Sequence, residues 1–244
     1  MRAIPAILLL GACLANAADP VKITELSGDS YHVQGVDTDG KRLWVTAVDK
    51  DHHKGYLLEF SLDTGKRLRT VEVTDGIRYH PGGFSADGDS LWLPVAEYRR
   101  ASSAVIEKRS ARTLELESRF EVADHIGCLA ATPDGLVGAN WDSRDFYFWD
   151  RNGRLLRKVA NPAENGYQDV KFVDGRLIAS GLLPGHNGAV DWLEYPSLRL
   201  IRRVPFGKTS RGVAYTNEGM TFRNGRLFLL PEDTASRLFE FVLP

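Results

Sequence analysis

Residues 217 to 233 read NEGMTFRNGRLFLLPED, and this stretch decides the predicted fold. A short apolar strand follows Glu218, Asn224 and Gly225 form a turn, and residues 226–230 return as a second strand. An Asn-Gly pair between two β-rich runs is the strongest short-range signal for a hairpin, because both central turn positions need a positive φ. The stretch therefore predicts a β-hairpin with an acidic residue at its start.

The same strand-turn-strand unit occurs four more times upstream. The units begin 42 to 50 residues apart, and each turns at a glycine that follows Asp or Asn. This period matches one four-stranded blade of a β-propeller. We therefore expect an all-β fold in which residues 18–244 form a single five-bladed β-propeller domain. The units begin at His32, His80, His125, Tyr167 and Asn217.

The two ends of the chain are predicted to complete one blade. The last unit has only three strands, which end in residues 237–243, and the missing strand can come from residues 21–26, VKITEL. Such a strand would close the ring and cover the sheet edges that open sheets must otherwise protect. The long connector at 205–216 leaves a sixth, degenerate blade open as an alternative.

The first 17 residues are typical of a secretory signal peptide. Arg2 precedes an apolar core that is too short to span a membrane, and Ala15-Asn16-Ala17 forms a small-residue cleavage site. The alternative is a lipoprotein signal with an acylated Cys13. Either interpretation predicts an exported protein, periplasmic or secreted. The other cysteine, Cys128, lies in an apolar run and is predicted to be a buried structural thiol.

The charge balance argues against nucleic acid as a partner. Lys and Arg total 31 and Asp and Glu total 32, which gives a formal charge of −1. Nucleic-acid-binding surfaces need a basic stripe or patch, and the sequence shows none. A small-molecule ligand is the expected partner.

Propeller geometry predicts where that ligand would bind. The inner strand of each blade starts beside the axis on one face, while the Asp-Gly turns point to the other face. The first face collects the candidate residues for ligand binding, which are Gln34, Gln168, Trp141, Asp142, Arg144 and His186. The loops at 49–54, 99–100 and 232–233 are expected on the same face, around the axis.

Three histidines open successive units at equivalent places. With Asp169 or Glu218, they predict a site for a divalent metal of unknown identity, because imidazole and carboxylate are ordinary ligands of such ions. The alternative is a repeat device in which each ring bonds to a neighbouring strand. The three are His32, His80 and His125.

Glu218 and Asp169 are the carboxylates expected nearest the axis. They are candidates for a catalytic acid and base or for Ca²⁺ ligands. The alternative is a pair of carboxylates at strand starts that are solvated or bonded to backbone.

Two family resemblances accompany these motifs. Glu218-Gly219-Met220, followed by 225–228, resembles the Glu-Gly strand opening of the gluconolactonase and regucalcin family, and this resemblance implies that Glu218 is a metal ligand. Those propellers usually have six blades with this Glu in the first, whereas here it lies in the last of five. The motifs YHPGGFS, NWDSR, YQDVKF and NEGM also make the whole chain similar to a bacterial family of exported propellers without an assigned function.

The sequence therefore favours an exported propeller that binds a small ligand or metal at its axis. Binding is the preferred function, and hydrolysis of a bound lactone or ester is left open as an accompanying activity. Two alternatives stay open at this point: a non-catalytic module that binds protein or glycan, and a glycoside hydrolase, which would need a suitably spaced carboxylate pair.

Overall fold

The computed structural model describes residues 19–243, so the predicted signal peptide and Cys13 lie outside the described residues. Twenty-one strands and one 3₁₀ turn, Trp141–Ser143, account for the regular structure of these residues. The strands are β1 Lys22–Glu25, β2 His32–Thr38, β3 Arg42–Asp49, β4 Lys54–Ser61, β5 Arg67–Glu72, β6 Arg78–Pro81, β7 Ser85–Asp87, β8 Ser90–Glu97, β9 Ala104–Ser110, β10 Leu116–Val122, β11 Ile126–Thr132, β12 Gly135–Asn140, β13 Asp145–Trp149, β14 Leu155–Ala160, β15 Gly166–Val173, β16 Arg176–Leu182, β17 Gly188–Glu194, β18 Leu200–Phe206, β19 Glu218–Arg223, β20 Arg226–Pro231 and β21 Arg237–Val242.

These strands form five antiparallel sheets, which confirms the five-bladed propeller. Blades 1, 3 and 4 are β2 to β5, β11 to β14 and β15 to β18, each in chain order from the inside outwards. Blade 2 has a split inner strand, because β6 and β7 both pair with β8. Blade 5 runs β19-β20-β21-β1.

The N-terminal strand closes the ring as predicted. β1 pairs antiparallel with β21, with Ile23 opposite Phe239 and Glu25 opposite Arg237. This pairing covers the edge that β21 would otherwise expose. Residues 205 and 206 end β18 of blade 4, and residues 207–216 form only a short bridge between Lys208 and Ala214, so no sixth blade is present within residues 19–243.

Apolar clusters lie between neighbouring blades and explain the long apolar runs of the middle strands. Trp44 and Leu57 of blade 1, for example, share a cluster with Phe84 and Leu93 of blade 2. A sheet that is covered on both faces needs apolar residues on both sides of each strand, as β3 and β8 have. The outermost strand β5 instead alternates between half-buried and exposed residues. Cys128 is fully buried, as predicted.

A buried ion pair joins the inner strands at the axis. Asp169 Oδ2 accepts hydrogen bonds from the backbone N–H of Val36 in blade 1 and of Met220 in blade 5, each at 3.1 Å. Its Oδ1 lies 2.5 Å from Nζ of Lys171, and that ammonium also donates to the carbonyl of Phe84 in blade 2. The pair therefore links four of the five blades, and we call Asp169 and Lys171 the axial hub.

Two glycines let the inner strands approach the hub. A Cβ on Gly83 would lie 2.6 Å from Oδ1 of Asp169, and one on Gly82 would lie 2.1 Å from the carbonyl oxygen of Gly127. Both distances are far below van der Waals contact, so only glycine fits at positions 82 and 83. The split in the inner strand of blade 2 thus has a packing cause.

No helix among residues 19–243 has the length and apolar character needed to cross a membrane.

Candidate functional site

A polar pocket of about 140 Å³ lies on the axis, at the face where the inner strands begin. All five blades contribute to its wall, so the pocket exists only in the closed ring. Eight of the candidate residues from the sequence line it, and four further residues complete it. The lining residues are His32, Gln34, His80, Tyr98, His125, Gly127, Asn140, Trp141, Asp142, Tyr167, Gln168 and Glu218.

A repeated β-bulge directs inner-strand residues into this pocket. In blades 1 to 4 the register of the inner strand skips one residue near its start, at Gln34, Tyr79, Gly127 and Gln168. A bulged residue leaves the strict alternation of the strand, and bulges next to active sites commonly re-aim a side chain. Three of the four bulged residues line the pocket, so the bulges bring these positions to the pocket wall.

Glu218 opens the inner strand of blade 5, where the register shows no bulge. Its φ of 119° lies in a region that L-residues rarely adopt, and such strain commonly marks functional sites. The residue is only 6% exposed, and its carboxyl group has no hydrogen bond from residues 19–243. Burial raises the pKa of Glu218 to about 8, and the nearby carboxylate of Glu232 contributes to this rise. The group is therefore largely protonated at neutral pH.

Stacked rings form the opposite wall of the pocket. The imidazole of His80 stacks on Tyr98, with ring centroids 4.3 Å apart, and lies 6.1 Å from Trp141 at an angle of 15°. His125 contacts Trp141 edge to face at 4.6 Å. Tyr98 follows β8 and Trp141 follows β12, so both come from connections between the second and third strands of their blades. A flat polar ligand has a suitable surface here.

Burial keeps the two inner histidines neutral. It holds the pKa of His80 well below its usual value, with help from the neighbouring His125 and His32, and it also lowers the pKa of His125. His125 Nδ1 lies 2.8 Å from the carbonyl oxygen of Glu97, so this histidine bonds to a neighbouring blade. Nδ1 of His80 has no hydrogen-bond partner among the described residues.

A second group of side chains at the pocket edge has the composition of a metal site. His32, Glu218 and Glu232 each offer one ligand atom, and these atoms lie within 4.8 Å of one another. Nδ1 of His32 is 2.5 Å from Oε1 of Glu232, and this contact lowers the pKa of Glu232. One imidazole and two carboxylates suit Zn²⁺ or Mn²⁺ better than the harder Ca²⁺, which prefers oxygen ligands alone.

The remaining predicted residues lie elsewhere. Asp169 is fully buried in the axial hub and does not line the pocket, because the bulge at Gln168 turns its side chain into the protein. Arg144 and His186 are exposed and also lie outside the pocket wall. His80 and His125 line the pocket but do not join His32 in the potential metal-ligand group.

Sequence reasoning missed four residues of the pocket wall: Tyr98, Gly127, Asn140 and Tyr167. It placed the loop of Glu232 on this face but did not identify Glu232 as a member of the potential metal-ligand group. Glu232 lies in a loop after β20, and its place at the axis depends on how blades 5 and 1 meet. Tyr98 could have been found from its position, since it immediately follows β8, just as Trp141 follows β12.

The fold and the pocket define the class of protein. It is a five-bladed β-propeller with a polar axial pocket, and one buried carboxyl group and several aromatic and imidazole rings line this pocket. The chain belongs to a family of unknown function, DUF6454, whose model matches residues 48–193. This confirms a propeller family without an assigned function, while the resemblance of the last unit to gluconolactonases and regucalcin stays a prediction. None of the curated proteins matches the chain.

Solved structures share the fold at low sequence identity. A glutaminyl cyclase from Myxococcus xanthus is 15% identical with a TM-score of 0.69, and the match covers 92% of this chain and 97% of that one. The WD40 domain of Neurospora crassa Pan2 is 13% identical with a TM-score of 0.52, covering 88% and 64%. A protein of unknown function from Bacteroides caccae is also 13% identical with a TM-score of 0.52, covering 83% and 71%. These similarities support the fold alone.

Proposed function

We propose that this chain is an acid–base catalyst of acyl transfer, acting on a small lactone, ester or amide held in the axial pocket. Glu218 is the group that moves the proton. The observation that carries this proposal is a carboxyl group that is 6% exposed, lines the pocket and has no hydrogen-bond partner among the described residues. The carboxyl group is largely removed from water but faces the pocket, so a ligand that hydrogen-bonds to it would be stabilised there.

The acid–base properties of Glu218 suit both halves of such a reaction. Its pKa of about 8 lies close to a neutral or mildly alkaline working pH, where a proton is both accepted and returned readily. The ionised carboxylate takes a proton from water, or from an amine of the substrate, as its oxygen or nitrogen adds to the carbonyl carbon. The resulting acid then gives that proton to the leaving oxygen or nitrogen.

The opposite wall would orient the substrate for this step. A planar ester or amide can lie against the rings of Trp141 and Tyr98, and neutral His80 offers polar contacts without introducing charge. The Myxococcus xanthus neighbour is named a glutaminyl cyclase, and so an amide substrate belongs beside lactones and esters in any trial.

An assay of the purified chain on such a panel tests the proposal. A lactone, an acyl ester and glutaminamide are incubated separately between pH 6 and 9, and product is measured against buffer and heat-inactivated protein. We expect turnover of at least one class, with a rate that rises with pH as Glu218 ionises. Rates equal to the buffer background for all three classes would contradict the proposal.

A second candidate function is the binding of a divalent metal by His32, Glu218 and Glu232. The observation that favours it is the closeness of their three ligand atoms, all within 4.8 Å of one another. A bound metal ion would supply Lewis-acid chemistry to the same carbonyl. Because the ligand form of Glu218 is the carboxylate, metal affinity should increase as pH rises towards its pKa of about 8.

Calorimetric titration with Zn²⁺, Mn²⁺ and Ca²⁺ tests this second function. We expect Zn²⁺ or Mn²⁺ to bind the wild-type chain, and Glu218→Gln to weaken binding by at least the ~10-fold that loss of even an outer contact costs. Glu194→Gln is the matched control, since Glu194 is partly exposed beside Arg199 and lies opposite Arg176 at the other face. Equal binding curves for wild type and Glu218→Gln, or no binding by wild type, would exclude this metal site.

A further inference from the structure

The axial pocket adjoins a much larger cavity. A groove of about 560 Å³ shares His32 with the pocket, and a rim cavity of about 230 Å³ shares Asp29, Tyr31 and Glu232 with the groove. Asp29, Tyr31 and His32 lie at the start of blade 1, and Glu232 lies in the loop that follows β20 in blade 5. The pocket, the groove and the rim cavity are therefore neighbours around His32 and Glu232.

The pocket alone is too small for most ligands. Its volume of about 140 Å³ is below the roughly 300–1,000 Å³ of ordinary ligand sites, yet it contains the unpartnered carboxyl of Glu218. A ligand that bonds to Glu218 would therefore extend outwards. The groove beside His32 offers it the room to do so.

The groove carries an excess of negative charge. Four carboxylates line it, from Asp29, Asp49, Asp51 and Glu232, against a single lysine, Lys50. Asp49 and Glu232 also contact histidines, at 2.8 Å and 2.5 Å respectively, and these pairs reduce the net charge when the histidines are protonated. Even so, the field of the groove favours cations.

One cation of the chain itself already lies where groove and pocket meet. The ammonium of Lys50 is 5.7 Å from the ring centroid of Tyr98, a position that allows a cation–π interaction. Lys50 also acts electrostatically on Glu218 and Glu232. An amine of a ligand would find the same aromatic face and the same carboxylates.

We infer that the groove binds an extended ligand bearing primary ammonium groups, with its reactive end in the axial pocket. A lysine-containing peptide and a polyamine share this chemistry. The inference rests on the proposed function only where it places the reactive end of the ligand in the axial pocket. The groove itself follows from the cavities and charges around Lys50.

Calorimetry with four probes tests the inference: glutaminamide, the amidated peptides Gln-Lys-Lys and Gln-Glu-Glu, and spermidine. At low salt we expect Gln-Lys-Lys to bind at least about tenfold more tightly than glutaminamide or Gln-Glu-Glu, because several weak surface charge contacts add. If spermidine binds as tightly as Gln-Lys-Lys, the inference is supported and polyamines are identified as the ligands that carry the ammonium groups. Equal affinity for glutaminamide, Gln-Lys-Lys and Gln-Glu-Glu would overturn it.

Charge variants sharpen the test. Asp51→Lys should weaken Gln-Lys-Lys by about three- to tenfold, whereas Asp89→Lys, the same change in the exposed turn between β7 and β8, should have no effect. Lys50→Met should tighten Gln-Lys-Lys by about three- to fivefold, because it removes the competing cation. Weaker binding by Lys50→Met would mean that the groove holds an anion and would overturn the inference.

The outcome is separable from that of the acyl-transfer proposal. Binding in these titrations requires no turnover, so a preference for Gln-Lys-Lys without any product formation would contradict the proposed function and support the groove. Turnover of glutaminamide, with no preference in binding for the length or charge of the ligand, would support the proposed function and overturn the groove.

Discussion

Replacement of Glu218 by glutamine is expected to lower the turnover of any substrate of the axial pocket by about 10²- to 10⁴-fold, the usual contribution of a positioned acid–base group. Glutamine keeps the shape and the neutral charge that Glu218 has at pH 7, so the fold should be preserved. The measurement is kcat/KM for wild type and variant on whichever substrate of the panel is turned over.

Glu194→Gln provides the control for this prediction, since it removes an acidic side chain from the opposite face and should leave kcat/KM unchanged. Retention of wild-type kcat/KM by Glu218→Gln would contradict a catalytic role for Glu218.

The same variant should also change how stability depends on pH. Because the pKa of Glu218 rises from an ordinary 4.5 to about 8, the folded chain holds a proton between these values that the unfolded chain has lost. The free energy of unfolding of wild type therefore falls as pH rises through this window. Glutamine does not ionise and removes that part of the fall. In thermal melting, the Tm of the variant minus the Tm of wild type should increase between pH 5 and pH 9. A difference that stays constant over this range would contradict the raised pKa.

Asp169→Ala is expected to reduce the free energy of unfolding by about 3–5 kcal/mol, the loss typical of breaking a buried ion pair. The substitution leaves the ammonium of Lys171, which is 3% exposed, without its carboxylate. It also removes the acceptor for the backbone N–H groups of Val36 and Met220, so blades 1 and 5 lose their bonds to blade 4. Urea unfolding followed by circular dichroism measures the change.

A double variant distinguishes the effect of the two charges on stability from the effect of side-chain packing. Asp169→Leu combined with Lys171→Met replaces both charges by apolar side chains and should recover part of the stability, because no uncompensated charge stays buried. A loss below about 1 kcal/mol for Asp169→Ala would be no larger than that of an ordinary point substitution. The axial hub would then have no special role in closing the ring.

The blade architecture was predictable because its signals are local. Each hairpin turn needs a positive φ, and Gly40, Gly88 and Gly225 supply it at φ values of 94°, 58° and 73°. The repeat of these turns gave the blade count. The missing strand of the last unit predicted the pairing of β1 with β21, because an uncovered edge strand is unfavourable.

The site was predictable only in part, because its geometry depends on register and on contacts between blades. The strand starts correctly indicated that Gln34, His80 and Glu218 would share one face. Asp169 was expected beside them, but a bulge shifts the alternation of β15 by one residue and directs Gln168 to the pocket instead. Such a shift leaves no clear mark in a single sequence.

The positions of loops along the strands predicted which face they share, but not which loops contact one another. Glu232 follows β20 near the end of the chain, while Lys50 follows β3 near its beginning. The two share one groove because blade 5 lies beside blade 1 in the closed ring. The residues around Lys50 and Glu232 predict a common face but not a common groove.

The central claim is that Glu218 presents a neutral carboxyl group to the axial pocket at pH 7. Carbon-13 NMR of the chain labelled at glutamate side-chain carboxyls, titrated from pH 3 to 10, tests it directly, and the signal lost in Glu218→Gln identifies the residue. The structure predicts a midpoint near pH 8 for that signal. A midpoint near 4.5, the ordinary value for a glutamate, would contradict the account.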